Sequence, residues 1–167
     1  MLTTKVFFLW LHLGAIVVWV GGLFVMTIVF MPALRAGIDS PGLAARVTAA
    51  AAQRFQRISR ELIVLILLTG IFNLLFAGLA RSFQFSAAYL AMLGAKISLF
   101  VILIGLQVWQ STRLYPALAT LTAGVERRSD PAPEAVKALQ RRALFASALS
   151  ALLSMVAILL GLQLGFH

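Results

Sequence analysis

His12 and Lys96 are the residues of this chain best placed to do chemistry, because each stands alone inside a long apolar run. An ionisable group surrounded by hydrocarbon is costly and marks a site by default. His12 is one of two histidines, the other being His167, and Lys96 is the one charge of its run. An imidazole offers a metal ligand or a proton acceptor. An ammonium offers a partner for an anion. Two further groups belong with them. Met92 lies one helical turn before Lys96 on the same face and brings a thioether. Asn73 brings a carboxamide. The chain has no cysteine, so disulfides, thiolate metal sites and redox dithiols are excluded.

The elements that must position these residues are four apolar stretches, at about 6–31, 61–79, 87–110 and 143–165. A bilayer is crossed by about 20 apolar residues in a helix, and the runs are continuous rather than alternating, which excludes a barrel of short strands. The expected fold is an all-α integral membrane protein, an antiparallel bundle of four transmembrane helices forming a single domain over 1–167. The first stretch is too long for a signal-peptide core and reads as a retained anchor.

Charge orients the bundle. Eleven of the fourteen basic residues fall between spans one and two (Arg35, Arg46, Arg54, Arg57, Arg60) or between spans three and four (Arg113, Arg127, Arg128, Lys137, Arg141, Arg142). By the positive-inside rule both connections are cytoplasmic and both termini lie outside, in the periplasm of a bacterial inner membrane. The net charge of +9 is therefore a topology signal, with anionic headgroups as a secondary partner, and it does not indicate nucleic acid.

Local signals fill in the connections. Ser40 and Pro41 read as an N-cap and first helical residue, so the second helix begins well inside the cytoplasm and runs unbroken into its span. The third helix continues past Tyr115 and Pro116 or bends there. Gly124 reads as a stop, and Ser129 or Asp130 with Pro131 and Glu134 as the start of the fourth helix. Trp10, Trp19, Trp109, Tyr89 and Tyr115 include interface anchors. Gly21, Gly22, Gly70 and Gly78 suit close helix contact, and Gly161 with Gly165 forms a small-residue motif compatible with a homodimer.

An internal repeat is visible. One offset of 84 aligns His12 with Lys96, the sequence Pro32, Ala33, Leu34 with Pro116, Ala117, Leu118, and Arg57 with Arg141. Two helical hairpins related by a pseudo-twofold along the membrane normal would produce this pattern.

Register then gives depth. His12 sits about 10 Å in from the outer end of span one, at a rise of about 1.5 Å per residue. Lys96 reaches nearly the same depth on span three, Asn73 matches it on span two, and Thr69 lies one turn deeper. Gln163 comes near on span four. His12, Asn73, Met92 and Lys96 are expected to converge in an outward-facing pocket rimmed by Thr4, Lys5 and Gln84.

The run Leu11, His12, Leu13, Gly14, followed by Trp19 to Leu23 and by Pro32, Ala33, Leu34, resembles the opening span of CopD-type copper-resistance membrane proteins. Arg54 and Phe55 with Leu68, Thr69, Gly70 and Asn73 are similar to that family's next span, and Lys96 with the apolar run to Pro116 is similar to the third, so the resemblance covers about residues 5–118. It implies copper transport or homeostasis at the inner membrane, with a copper or redox partner in the periplasm. The histidine, tryptophan-glycine and lysine layout also resembles HemJ, which implies bound haem b and a membrane oxidoreductase.

The residues weigh these implications differently. Copper(I) prefers thioether or imidazole ligands, for which His12 and Met92 are the candidates at this depth. Met26 and Met31 lie about 20 Å farther along the first span and suit a second station. A charged Lys96 opposes a cation and suits an anionic cofactor, with His12 as axial ligand to haem. The one carboxylate at a span is Glu61, at the inner edge of span two beside Arg57 and Arg60, and no nucleotide loop, nucleophile motif or zinc spacing appears, so apart from the haem reading the residues point away from an enzyme. A cofactor-free partner subunit is the third reading.

Overall fold

The structure is a computed structural model that describes residues 2–38, 40–118, 120–121 and 134–166. The expected signals at Gly124, Ser129, Asp130 and Pro131 lie outside the described residues. Every element among the described residues is helical, and four helices are long and apolar enough to cross a membrane. Helix α1 spans Leu2–Phe24, passes through a π-helical turn at Val25–Phe30 and continues as α2, Met31–Gly37. Helix α3 spans Pro41–Ala80, α4 spans Ala87–Trp109 with a second π-helical turn at Gln110–Leu114, and α5 spans Glu134–Phe166.

The helices outrun the expected spans. The 40 residues of α3 extend roughly 60 Å, about twice the thickness of a hydrocarbon core. The reason is the N-terminal signal: Ser40 Oγ accepts from the Leu43 backbone N–H, and Pro41 stands where no N–H is needed. No proline or unpaired break follows, so the helix runs unbroken to Ala80. There a tight turn takes over. Ser82 and Phe83 adopt left-handed backbone angles, and the Phe83 N–H donates to the Gly78 carbonyl at 2.7 Å. The Phe83 ring lies against Gly78 where a β-carbon would stand, which explains a glycine there.

The repeat finds a structural counterpart in the two π-helical turns. Shifted by 84, Val25–Phe30 falls on 109–114, and the second turn occupies Gln110–Leu114. Each sits just before a proline, Pro32 or Pro116. A proline ring crowds the carbonyl four residues earlier and supplies no N–H, so the chain widens by one residue to keep bonding. Met31 N–H thus donates to the Met26 carbonyl, and Tyr115 N–H to the Gln110 carbonyl. The third helix continues through its proline after this widening.

Packing follows the same pairing. The closest partners are α1 with α3 and α4 with α5, while α1 and α5 join the two pairs. One apolar core gathers Ala15, Trp19, Leu23, Ile66, Leu103 and Ala151. A second, at the basic end, sets Ala52 of α3 against Leu114, Tyr115, Ala143 and Ala146. Alanines permit this close approach, which is why α3 stays packed beyond its apolar span. Trp19 and Tyr115 are buried here at 3% and 5% exposure, so neither is an interface anchor; Trp10, 70% exposed, is placed as one. Phe7, Val17, Val101, Phe145 and many other large apolar side chains face outward, the inverse of a water-soluble surface and the expected one for lipid.

Candidate functional site

His12 is buried, and its Nδ1 lies 2.9 Å from Thr69 Oγ1. Thr69 Oγ1 in turn donates to the Leu65 carbonyl at 2.6 Å and approaches the Ile66 carbonyl at 3.2 Å. The threonine has one hydroxyl proton, and it is directed at these carbonyls. Its oxygen must therefore accept from His12, which assigns the ring proton to Nδ1. Nε2 is left with a free lone pair, and no hydrogen bond reaches it among the described residues. This is the arrangement in which an imidazole binds a metal: one nitrogen anchored to the protein, the other open.

Small residues let the other helices in. A β-carbon at Gly70 would lie 3.3 Å from His12 Cε1, so glycine there lets α3 approach the ring without displacing it. At Gly161 of α5 a β-carbon would lie 3.0 Å from Lys96 Nζ. Lys96 thus reaches across from α4 onto α5. All four long helices contribute to this level: His12 from α1, Thr69 and Gly70 from α3, Lys96 from α4 and Gly161 from α5. His12 lies against Gly70 and Lys96 against Gly161, and no described contact joins the imidazole to the ammonium directly. Because Gly161 packs against Lys96 of its own chain, that face of the small-residue motif is occupied within the chain. Gly22 and Gly78 likewise accept rings, from Phe55 and Phe83, whereas nothing approaches Gly21.

The remaining expected members stand differently. Asn73 is one turn from Thr69 toward the terminal end, with its Nδ2 buried and unpartnered. Met92 is half-buried, and no described contact joins it or Asn73 to His12. Thr4, Lys5, Gln84 and Gln163 are exposed, with no described contact to the imidazole. Register reasoning named Thr69 only as the deeper neighbour of Asn73; it is the direct partner of the histidine. Reasoning from polar residues also passed over Phe8, one turn before His12, which stacks on Phe72 at 4.5 Å and approaches Phe76 at 6.1 Å. These rings place an apolar layer on the terminal side of the imidazole. No group of three or more histidine, cysteine, aspartate or glutamate residues able to hold a metal occurs among the described residues.

A second polar region lies toward the basic end. Gln107 Nε2 donates to Gln56 Oε1 at 2.6 Å, tying α4 to α3. Gln110 Nε2 donates to Ser150 Oγ at 3.0 Å, and Tyr115 Oη reaches both Gln110 Oε1 (3.3 Å) and Ser147 Oγ (3.4 Å), tying α4 to α5. Ser154 Oγ donates to the Ser150 carbonyl. Eleven residues separate Gln107 from Lys96, so the two levels are roughly 16 Å apart along α4. Sequence reasoning did not single out Gln56, Gln107 or Gln110.

Comparison with known families gives one match: the family described as copper resistance protein D, CopD, aligns with residues 49–160. No curated protein and no solved structure matches, and the likeness to HemJ has no counterpart among these findings. The matched segment runs from α3 into α5 and includes Thr69, Asn73, Met92 and Lys96, but not α1 with His12. The resemblance read from span one thus lies outside the match, while the part read from Arg54 to Pro116 lies within it. Matched over more than half of its length, this multi-pass membrane chain belongs to the copper resistance protein D family.

Proposed function

We propose that this protein handles copper ions within the membrane, binding them transiently at His12 Nε2. The observation that carries this reading is the bond from His12 Nδ1 to Thr69 Oγ1, which fixes the ring and its tautomer and leaves Nε2 open. Such an outer partner raises the basicity of a ligating imidazole and holds its direction. Met92, one turn from Lys96, would supply a thioether as second soft ligand. One imidazole and one thioether make an incomplete cage, which suits a station that accepts and releases an ion better than one that stores it. Lys96 would oppose a resident cation and favour release. We further read the site as opening toward the periplasm of a bacterial inner membrane, because the connections at the opposite end carry most of the basic residues.

The test is titration of the purified protein with copper(I) against a competing chelator, in wild type and His12→Ala. Binding at one equivalent that vanishes in the variant is the expected result. Equal binding by both proteins would sink the proposal.

A second reading rests on Lys96. An ammonium and an imidazole lodged in apolar spans, whose one carboxylate, Glu61, stands at the inner edge, also suit an anionic ligand such as haem b, held by His12 with its propionates toward Lys96. That reading requires a Soret band, in the protein as purified or after added haemin, that is lost in His12→Ala.

A further inference from the structure

At the basic end, beside the second polar level, α4 and α5 leave a cleft of about 460 Å³. Its walls are Leu106, Trp109, Phe145 and Leu149, and its rim carries Arg141 and Arg142. We propose that this cleft is a binding site for one anionic phospholipid, the acyl chain lying against the apolar walls and the phosphate against the two guanidinium groups.

Three observations favour that occupant. Arg142 is the last charge before the apolar run of α5, so both guanidinium groups stand where hydrocarbon gives way to headgroups. Both arginines are exposed, and neither makes an ion pair among the described residues; the one ion pair described on this helix is Lys137 with Glu134 at 3.4 Å. Trp109 and Phe145 are 44% and 71% exposed, although each borders a cleft that an apolar chain would fill. A free phosphate would satisfy the arginines and leave the apolar walls uncovered. A zwitterionic lipid would bring its own ammonium toward two cations. A phosphodiester lipid with an uncharged alcohol fits both halves, and basic recesses between spans at the positively charged side are recognised sites for such headgroups.

Trp109 on the cleft wall provides the readout. The full chain is placed in mixed micelles with phosphatidylglycerol or phosphatidylcholine carrying brominated acyl chains, and tryptophan quenching is followed. Saturable quenching by phosphatidylglycerol is expected, absent from Trp109→Phe and stronger than with phosphatidylcholine. At about fivefold per basic residue, Arg141→Gln with Arg142→Gln should weaken the interaction about thirtyfold. Arg57→Gln with Arg60→Gln removes the same charge from the neighbouring face and should leave it unchanged. Leu149→Trp, filling the cleft with the arginines intact, should also abolish saturable quenching. Equal weakening by both arginine pairs would reduce the effect to general surface charge and overturn the site. So would equal quenching by the two lipids, or full competition by inorganic phosphate alone.

Discussion

The two polar levels of this bundle are built on opposite plans. Toward the basic end, Gln56, Gln107, Gln110, Tyr115, Ser147 and Ser150 join three helices with side-chain hydrogen bonds of 2.6 to 3.4 Å. Toward the terminal end one bond, His12 to Thr69, leaves Nε2 open, Asn73 Nδ2 unpartnered and Lys96 without a carboxylate. In a low-dielectric interior a paired polar group holds helices together, and an unpaired one is costly unless something else binds it. The comparison teaches that polarity alone does not locate function in a membrane bundle. What separates the candidate site from structural glue is the kind of group left unused, an imidazole nitrogen and an ammonium rather than a lone hydroxyl such as Ser59 Oγ.

Five substitutions can break or sharpen that contrast. The largest effect is expected from His12→Ala, which should lower ligand affinity by more than about 100-fold while the bundle stays folded. An unfolded variant would place His12 with the structural residues instead. Thr69→Val keeps the shape and removes the acceptor, so copper(I) affinity measured by chelator competition should fall by about 10–100-fold. The concurrent loss in stability should be about 0.6–1.7 kcal/mol, the range for hydrogen bonds between membrane helices.

At the other level the signs reverse. Gln107→Leu leaves the Gln56 carboxamide buried without its partner, and reversible unfolding in mixed micelles should show a loss of about 1–2 kcal/mol with ligand affinity unchanged. Adding Gln56→Leu should recover part of that loss, since two apolar groups leave nothing unsatisfied. The smallest effect is expected from Ser59→Ala. Ser59 is fully buried with its Oγ unpartnered, so stability should stay within about 0.5 kcal/mol of wild type. A large loss there would mean that Ser59 holds a water essential to the bundle.

Much of the fold was legible because its causes are local or one-dimensional. About 20 apolar residues specify a crossing helix whatever its neighbours, and Ser40 with Pro41 specifies a helix start through bonds made within one turn. Depth was read on the same basis: a fixed rise per residue led to the expectation that His12 and Lys96 share a level once the direction of each span was known. The offset of 84 was also readable, and the matching π-helical turns before Pro32 and Pro116 give it a physical basis in the missing N–H of proline.

The tertiary structure decided rotation. A span that is apolar all round presents no preferred face to its neighbours in sequence, so nothing local says which side of α3 meets His12. Packing chose Thr69 over Asn73, because Gly70 admits the imidazole ring at that turn. It laid Lys96 on Gly161, where the absence of a side chain leaves room for the ammonium. It also paired the glutamines, whose partners lie fifty-one residues apart in the chain. Sequence alone therefore determined the number, length and level of the helices, through hydrophobicity and helical rise. Which polar atoms are satisfied, and so where the open nitrogen lies, was decided by contacts between helices.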